Sequence, residues 1–143
     1  MKARILIAED DPNIRLGLVA TLESDGYAVT AAGDGAQALK LYPQQKFDLV
    51  LLDIMMPKLS GFEVCQEIRS NPETKGIMVL MVTALNELGD IERAVDAGTD
   101  DFLSKPVNKL ELVKRVENML KFRHVADENE RLRRYIEEME RGS

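Results

Sequence analysis

Short unbroken apolar runs, Ile5–Ala8, Leu49–Leu52, Ile77–Val82 and Phe102–Leu103, punctuate the sequence at wide intervals, and they limit most strongly what the chain can fold into. Each is too short for a buried helix and lacks the alternation of a strand with one wet face, so each suits a strand covered on both sides of a parallel sheet. A further stretch, Tyr27–Ala31, alternates more and suits an edge. The intervening segments carry helical punctuation. Asp11-Pro12 supplies a cap and a proline at the first helical position, with Ile14, Leu18 and Leu22 on one face before Gly26. Asp34 caps a second segment carrying Ala38, Leu39 and Tyr42. Ser60-Gly61-Phe62-Glu63 is a capping box opening a third, which ends near Asn71-Pro72, and Asn86 opens a fourth that Gly98 closes. Strand then helix, five times over, implies right-handed crossovers, and the predicted class is α/β: a doubly wound, five-stranded parallel sheet with helices on both faces.

The fifth helical segment departs from the others. After Asn108, with Glu111 three residues on, nothing breaks the pattern before Gly142, which predicts one helix of more than about thirty residues. Leu110, Val113, Val116 and Leu120 form its expected packing face. Beyond Lys121 the apolar stripe changes to Phe122, Val125, Asn129, Leu132, Ile136 and Met139, spaced alternately three and four, which is a heptad seam. Ile at a with Leu at d favours a parallel two-stranded coil, a polar Asn at a fixes register, and Glu128 can pair with Arg133 across chains. The expected organisation is therefore one compact domain over residues 1–121 and a dimerising helical stem over 122–143.

Composition narrows the function classes. Twenty-five acidic against 19 basic residues give a net charge of -6, which argues against a nucleic-acid or anionic-membrane surface. The single cysteine, Cys65, allows no intrachain disulfide or Cys-rich metal site, and its neighbours Phe62, Val64 and Ile68 place it in a core, which fits a reducing compartment. The N-terminus reads as no signal peptide and no apolar run has the length to cross a bilayer, so a cytoplasmic location is expected.

Function is sought where an open doubly wound sheet binds ligands, outside the carboxyl ends of its strands. Glu9, Asp10 and Asp11 follow the first run; Asp53 ends the middle one; Thr83 follows the fourth; Ser104 and Lys105 follow the last. Carboxylates brought together repel unless a cation sits among them. With no Cys or His on offer, a hard divalent ion fits best, Mg²⁺ with Mn²⁺ as a substitute. The lone histidine, His124, falls at an exposed heptad position. Asp53 could then attack a phosphoryl group and hold it as an acyl phosphate, with Lys105 neutralising its oxygens and the Thr83 hydroxyl donating to one of them.

The ordered pieces ILIAEDD, LVLLDIMMPKLSGFEV, MVTA and DFLSKP resemble the receiver domain of bacterial two-component response regulators, over about residues 2–122. The resemblance implies a flavodoxin-like strand order of 2-1-3-4-5 and Asp53 as phosphoacceptor. It implies Asp10, Asp11, Asp53 and the Met55 carbonyl as metal ligands, and Thr83, the Ala84 backbone and Lys105 as phosphoryl contacts. It also implies a cis Lys105-Pro106 bond, a switch coupling Thr83 to Phe102, and a sensor histidine kinase or phosphotransfer protein as donor. Such a domain is regulatory, catalysing only its own phosphorylation and dephosphorylation. Met55 and Leu85 stand where side chains of this family tune hydrolysis, and neither can orient water, so a long-lived phosphoaspartate is expected. The output is expected either from an effector domain removed beyond Arg141-Gly142-Ser143 or from the coil itself. The alternatives are a receiver-like interaction module without phosphorylation and an aspartyl-phosphate phosphatase, the latter short of a second acid at Met55.

Overall fold

The computed structural model describes residues 3–84 and 88–141, with the side chains of 88–91, 123–135, 138 and 141 outside the description. Among the described residues ten elements alternate: β1 (Arg4–Ala8), α1 (Pro12–Ser24), β2 (Ala28–Ala32), α2 (Gly35–Leu41), β3 (Leu49–Asp53), α3 (Gly61–Ser70), β4 (Met78–Thr83), α4 (Leu88–Ala97), β5 (Asp101–Ser104) and α5 (Lys109–Arg141). All strand pairs are parallel, in the order β2-β1-β3-β4-β5. The apolar runs mark the strands to within a residue or two. Every residue of β3 is buried, which is why its sequence shows no alternation.

Strand residues divide by parity between two cores. Leu6, Val50, Leu52, Val79 and Met81 face α2, α3 and α4, packing with Ala38, Phe62, Cys65, Ile68 and Ala94. Ile5, Ile7, Leu49, Leu51, Leu80 and Val82 face α1 and α5, packing with Leu18, Leu22, Leu112, Val116 and Met119. The sheet is thereby sealed on both sides, and its loops at the carboxyl ends are the part left open to chemistry. Cys65 is fully buried, its thiol donating to the Ala97 carbonyl at 3.2 Å, and burial pushes it up to about 11.

The expected helix boundaries hold where they are described. Asp11 and Asp34 cap α1 and α2, and Ser60 with Glu63 makes the reciprocal capping box of α3. Gly26 and Gly98 take positive φ values of 95° and 98° just past α1 and α4, the left-handed backbone that ends a helix. Asn108 accepts from Glu111 N–H at 3.1 Å at the start of α5. The proposed cap Asn86 lies outside the described residues.

The packing face of α5 differs from the expected one. Leu112, Val116 and Met119 are buried, whereas Leu110 is 66% exposed. Apolar residues at 110, 112, 113, 116, 119 and 120 contain two overlapping stripes, and the position of β4 and α1 beneath the helix selects the second. The helix continues to Arg141 over 33 residues. Along its far part Phe122, Ile136 and Met139 are exposed, and the side chains of the other seam positions, Val125, Asn129 and Leu132, lie outside the described ones.

Candidate functional site

The site forms at the carboxyl edge of the three central strands. β3 ends in Asp53, which is only 3% exposed. Its register sets it beside Val82 of β4, and Thr83, the next residue, closes β4 with 4% exposure. On the other side β1 gives way to Glu9, whose N–H still bonds the Ala32 carbonyl at 3.1 Å, so that Glu9 prolongs the β1–β2 ladder and is 1% exposed. Lys105, one residue past β5, is anchored by its N–H to the Thr83 carbonyl at 2.8 Å, and its bond to Pro106 is cis.

Side chains from these strand ends meet in one network. The Lys105 ammonium donates to Asp53 Oδ2 at 3.0 Å and to Glu9 Oε1 at 3.2 Å. Asp53 Oδ1 accepts from the Met55 N–H at 3.2 Å. Carboxylate oxygens of Glu9, Asp10 and Asp53 all lie within 4.8 Å of one another. The electrostatics follow from that crowding. Burial, then hydrogen bonding to Asp53 and the Asp53 charge, push the Glu9 carboxyl up to about 7 against the pull of Lys105. Burial pulls the Lys105 ammonium down, but the hydrogen bonds and charges of Asp53 and Glu9 outweigh it and leave it above the ordinary lysine value. One ammonium thus faces three carboxylates, two of them buried, which is a net negative cleft that favours a cation.

The donor set fits a hard ion. Three carboxylates with no Cys or His among them match the oxygen ligation of Mg²⁺ and leave positions for water.

Of the residues expected at the site, Asp10, Asp53, Thr83 and Lys105 come to one edge of the sheet. Asp11 does not join the carboxylate group. Its Oδ1 accepts from the N–H groups of Asn13 at 2.8 Å and Ile14 at 3.2 Å, which caps α1. Glu9 takes its place. The signal was present in the sequence, because an acid directly before proline at a helix start is a cap first. Met55 points its side chain outward, 64% exposed, and Ala84 is exposed after β4. Phe102 is half-buried against the α2–α4 core, and Leu85 lies outside the described residues. Arg15 was not anticipated: its guanidinium donates to the Glu9 carbonyl at 2.8 Å and steadies the backbone behind the acidic group.

A doubly wound sheet whose polar residues gather at the carboxyl ends of β1, β3, β4 and β5 defines a flavodoxin-like α/β protein with its site at the switch point of the strand order. Comparison narrows the class. The sequence model of the family described as "Response regulator receiver domain" matches residues 5–117. The response regulator PleD of Caulobacter vibrioides is 40% identical over 129 residues, covering 90% of this chain and 28% of that protein. The DNA-binding dual master transcriptional regulator RpaA of Synechocystis is 43% identical over 118 residues, covering 82% of this chain and 49% of that protein. This chain therefore spans half or less of these curated relatives. Among solved structures, a CheY-like receiver domain protein from Methanospirillum hungatei superposes with a TM-score of 0.83 at 28% identity, covering 88% of this chain and 99% of that one. The receiver domain of a Pseudomonas aeruginosa sensor histidine kinase, with a magnesium ion coordinated in its active-site cleft, gives 0.79 at 32% identity, covering 85% and 99%. The chain belongs to the response regulator receiver domain family, whose members are regulatory, phospho-accepting signalling switches.

Proposed function

We propose that Asp53 is the phosphoacceptor of a Mg²⁺-dependent switch charged by a sensor histidine kinase or a phosphotransfer protein in the cytoplasm. The observation that carries this reading is the buried Asp53 carboxylate, held at both oxygens by Lys105 and the Met55 N–H within the Glu9–Asp10 acidic group. An Asp53 oxygen attacks the phosphorus of a phosphohistidine, the P–N bond breaks, and its electron pair stays on the imidazole nitrogen. Lys105, already between Asp53 and Glu9, neutralises a phosphoryl oxygen, while the Thr83 hydroxyl and the Ala84 N–H donate to others. Glu9, Asp10, Asp53 and the Met55 carbonyl would hold the ion, with Mn²⁺ as a substitute, and when bound it supplies positive charge where charge develops on the transferring group. Movement of Thr83 toward the phosphoryl group would be registered by Phe102 through packing alone, since Phe has no hydroxyl. Met55 and Leu85 would leave water unoriented and the acyl phosphate long-lived.

Phosphorylation by acetyl phosphate tests this. The native chain is expected to take up one phosphoryl group in the presence of Mg²⁺, and both Asp53→Asn and chelation with EDTA are expected to abolish uptake. Uptake by Asp53→Asn equal to the native chain would sink the reading.

We further propose that residues 1–121 act as the receiver and 122–143 as a stem that joins two copies in parallel and leads to an effector. Exposed Phe122, Ile136 and Met139 support it, because apolar side chains repeating on one side of a solvated helix favour a partner. Ile136→Asp is expected to raise the dimer dissociation constant by roughly tenfold or more in sedimentation. A native chain that sediments as a monomer at high concentration, with and without beryllofluoride, contradicts this part.

A further inference from the structure

The loop that follows the phosphoacceptor is held at two places by contacts that only a glycine allows. Where it enters α3 stands Gly61, where a Cβ would be 2.5 Å from the Asp53 carbonyl oxygen, and whose N–H donates to the Ile54 carbonyl at 3.0 Å. Its far side leans on α2. There a Cβ on the buried Gly35 would stand 2.5 Å from the Leu59 carbonyl oxygen and 2.8 Å from Leu59 Cβ. Gly35 does not have a left-handed backbone, so space and not conformation calls for glycine here.

The intervening chain has little slack. Lys58 sits at φ 71°, and Leu59 N–H donates to the Pro57 carbonyl at 2.9 Å, closing a three-residue γ-turn of the strained, positive-φ kind. Lys58 then reaches Asp34 Oδ2 at 3.6 Å, tying the same turn to the cap of α2. Leu59 is half-buried in the core shared with Ala38. Between this anchor and Asp53 lie only five residues, one of them Met55, whose N–H holds Asp53 Oδ1. A displacement at Leu59 has only the Lys58 turn, Pro57 and Met56 to cross before it reaches Met55.

We propose that Gly35 is a positioning residue for the phosphoacceptor: its missing side chain lets the β3–α3 loop seat on the first turn of α2 and thereby sets the Met55 backbone against Asp53. This rests on the reading of Asp53 as phosphoacceptor. Contact at about 3.5 Å is ordinary for carbon, so a Cβ at Gly35 forces the loop back by roughly 1 Å, a misplacement that can slow a reaction on the order of 10- to 100-fold.

The test measures the rate of phosphorylation by acetyl phosphate with Mg²⁺, and the amide resonances of the non-proline residues 54–59, in the full chain. Gly35→Ala is expected to phosphorylate at least roughly tenfold more slowly and to shift the Met55 and Leu59 amides, while retaining a cooperative melt. Thr74→Val, which removes a hydroxyl bond to the Ile68 carbonyl at the opposite end of the sheet, is expected to change neither. Leu59→Ile, which keeps the side-chain volume but moves the branch onto the Cβ that faces Gly35, crowds the same contact from the loop side and gives the answer if Gly35→Ala does not fold: slower phosphorylation supports the proposal, and the native rate overturns it. A folded Gly35→Ala with native rate, or with a lower rate but an unmoved Met55 amide, also overturns it. If the native chain takes up no phosphoryl group, the functional reading falls first and this one with it; uptake by the native chain and an unaffected Gly35→Ala sinks this proposal alone.

Discussion

Lys105→Ala is expected to destabilise the metal-free protein by about 3–5 kcal/mol at about pH 8, because it strips the cation from a network in which Asp53 and Glu9 are buried. The ammonium itself is 20% exposed, so solvent screening of its two ion pairs is limited. The pH dependence has a definite sign. The Lys105 ammonium lies above its ordinary value in the fold, so its contribution is complete below that ordinary value, and neutral pH lies well inside the window. Glu9 is raised from 4.5 to about 7, so the stability linked to its protonation is complete below 4.5 and is lost as pH rises through 7. The deficit of Lys105→Ala is therefore greatest above pH 7 and shrinks as acid neutralises Glu9. Urea denaturation at several pH values checks this. A deficit that grows on acidification contradicts the account of the cleft, and Mg²⁺ should restore part of the loss at high pH by replacing the missing positive charge.

Arg69→Ala is expected to cost about 3–4 kcal/mol without slowing phosphorylation of the molecules that remain folded. Arg69 leaves the C-terminal turn of α3 and gathers two separate segments. Its Nε donates to the Gly98 carbonyl at 2.8 Å, its Nη1 to the carbonyls of Lys75 at 2.7 Å and Ile77, and its Nη2 to Asp100 Oδ2 at 2.6 Å. The same Asp100 oxygen accepts from the Val79 N–H at 2.7 Å, so the clamp also starts β4. These carbonyls satisfy the turn before β4 and the end of α4, and alanine would leave them to whatever water can reach them. Arg69→Lys recovers only part of this set, since a single ammonium cannot span the fork, and is expected to be intermediate. Chemical denaturation gives the stability and acetyl phosphate gives the rate. A loss below about 1 kcal/mol would show that water replaces the guanidinium at little cost.

The strands were legible because burial on both faces leaves an apolar run with nothing polar to blur its ends, and the helix starts because Asp11, Asp34 and Ser60 perform in the fold the capping that their positions announce. The same local chemistry explains why Glu9, and not Asp11, stands in the carboxylate group. Asp10 and Asp11 look equivalent as neighbours, but one turn of geometry commits Asp11 to the helix and leaves Glu9, at the end of the β1 ladder, facing Asp53. In α5 two apolar stripes compete, and only the helix and strand beneath it decide that Leu112 and Met119 are covered while Leu110 is not. Arg69, Arg15 and Gly35 gave no readable signal. The partners of the two arginines are mostly backbone carbonyls, which no residue type announces, and the neighbours of Arg69 at Gly98 and of Gly35 at Leu59 come near only once the chain has folded.

The central claim is that Asp53, and no other carboxylate of the acidic group, forms the acyl phosphate. Borohydride reduction of the phosphorylated chain converts an aspartyl phosphate to homoserine, and peptide mass spectrometry locates it. The account predicts homoserine at position 53 only, and none when Mg²⁺ is withheld during phosphorylation. Reduction at Glu9 or Asp10, or phosphoryl uptake that leaves position 53 an unmodified aspartate, would contradict it.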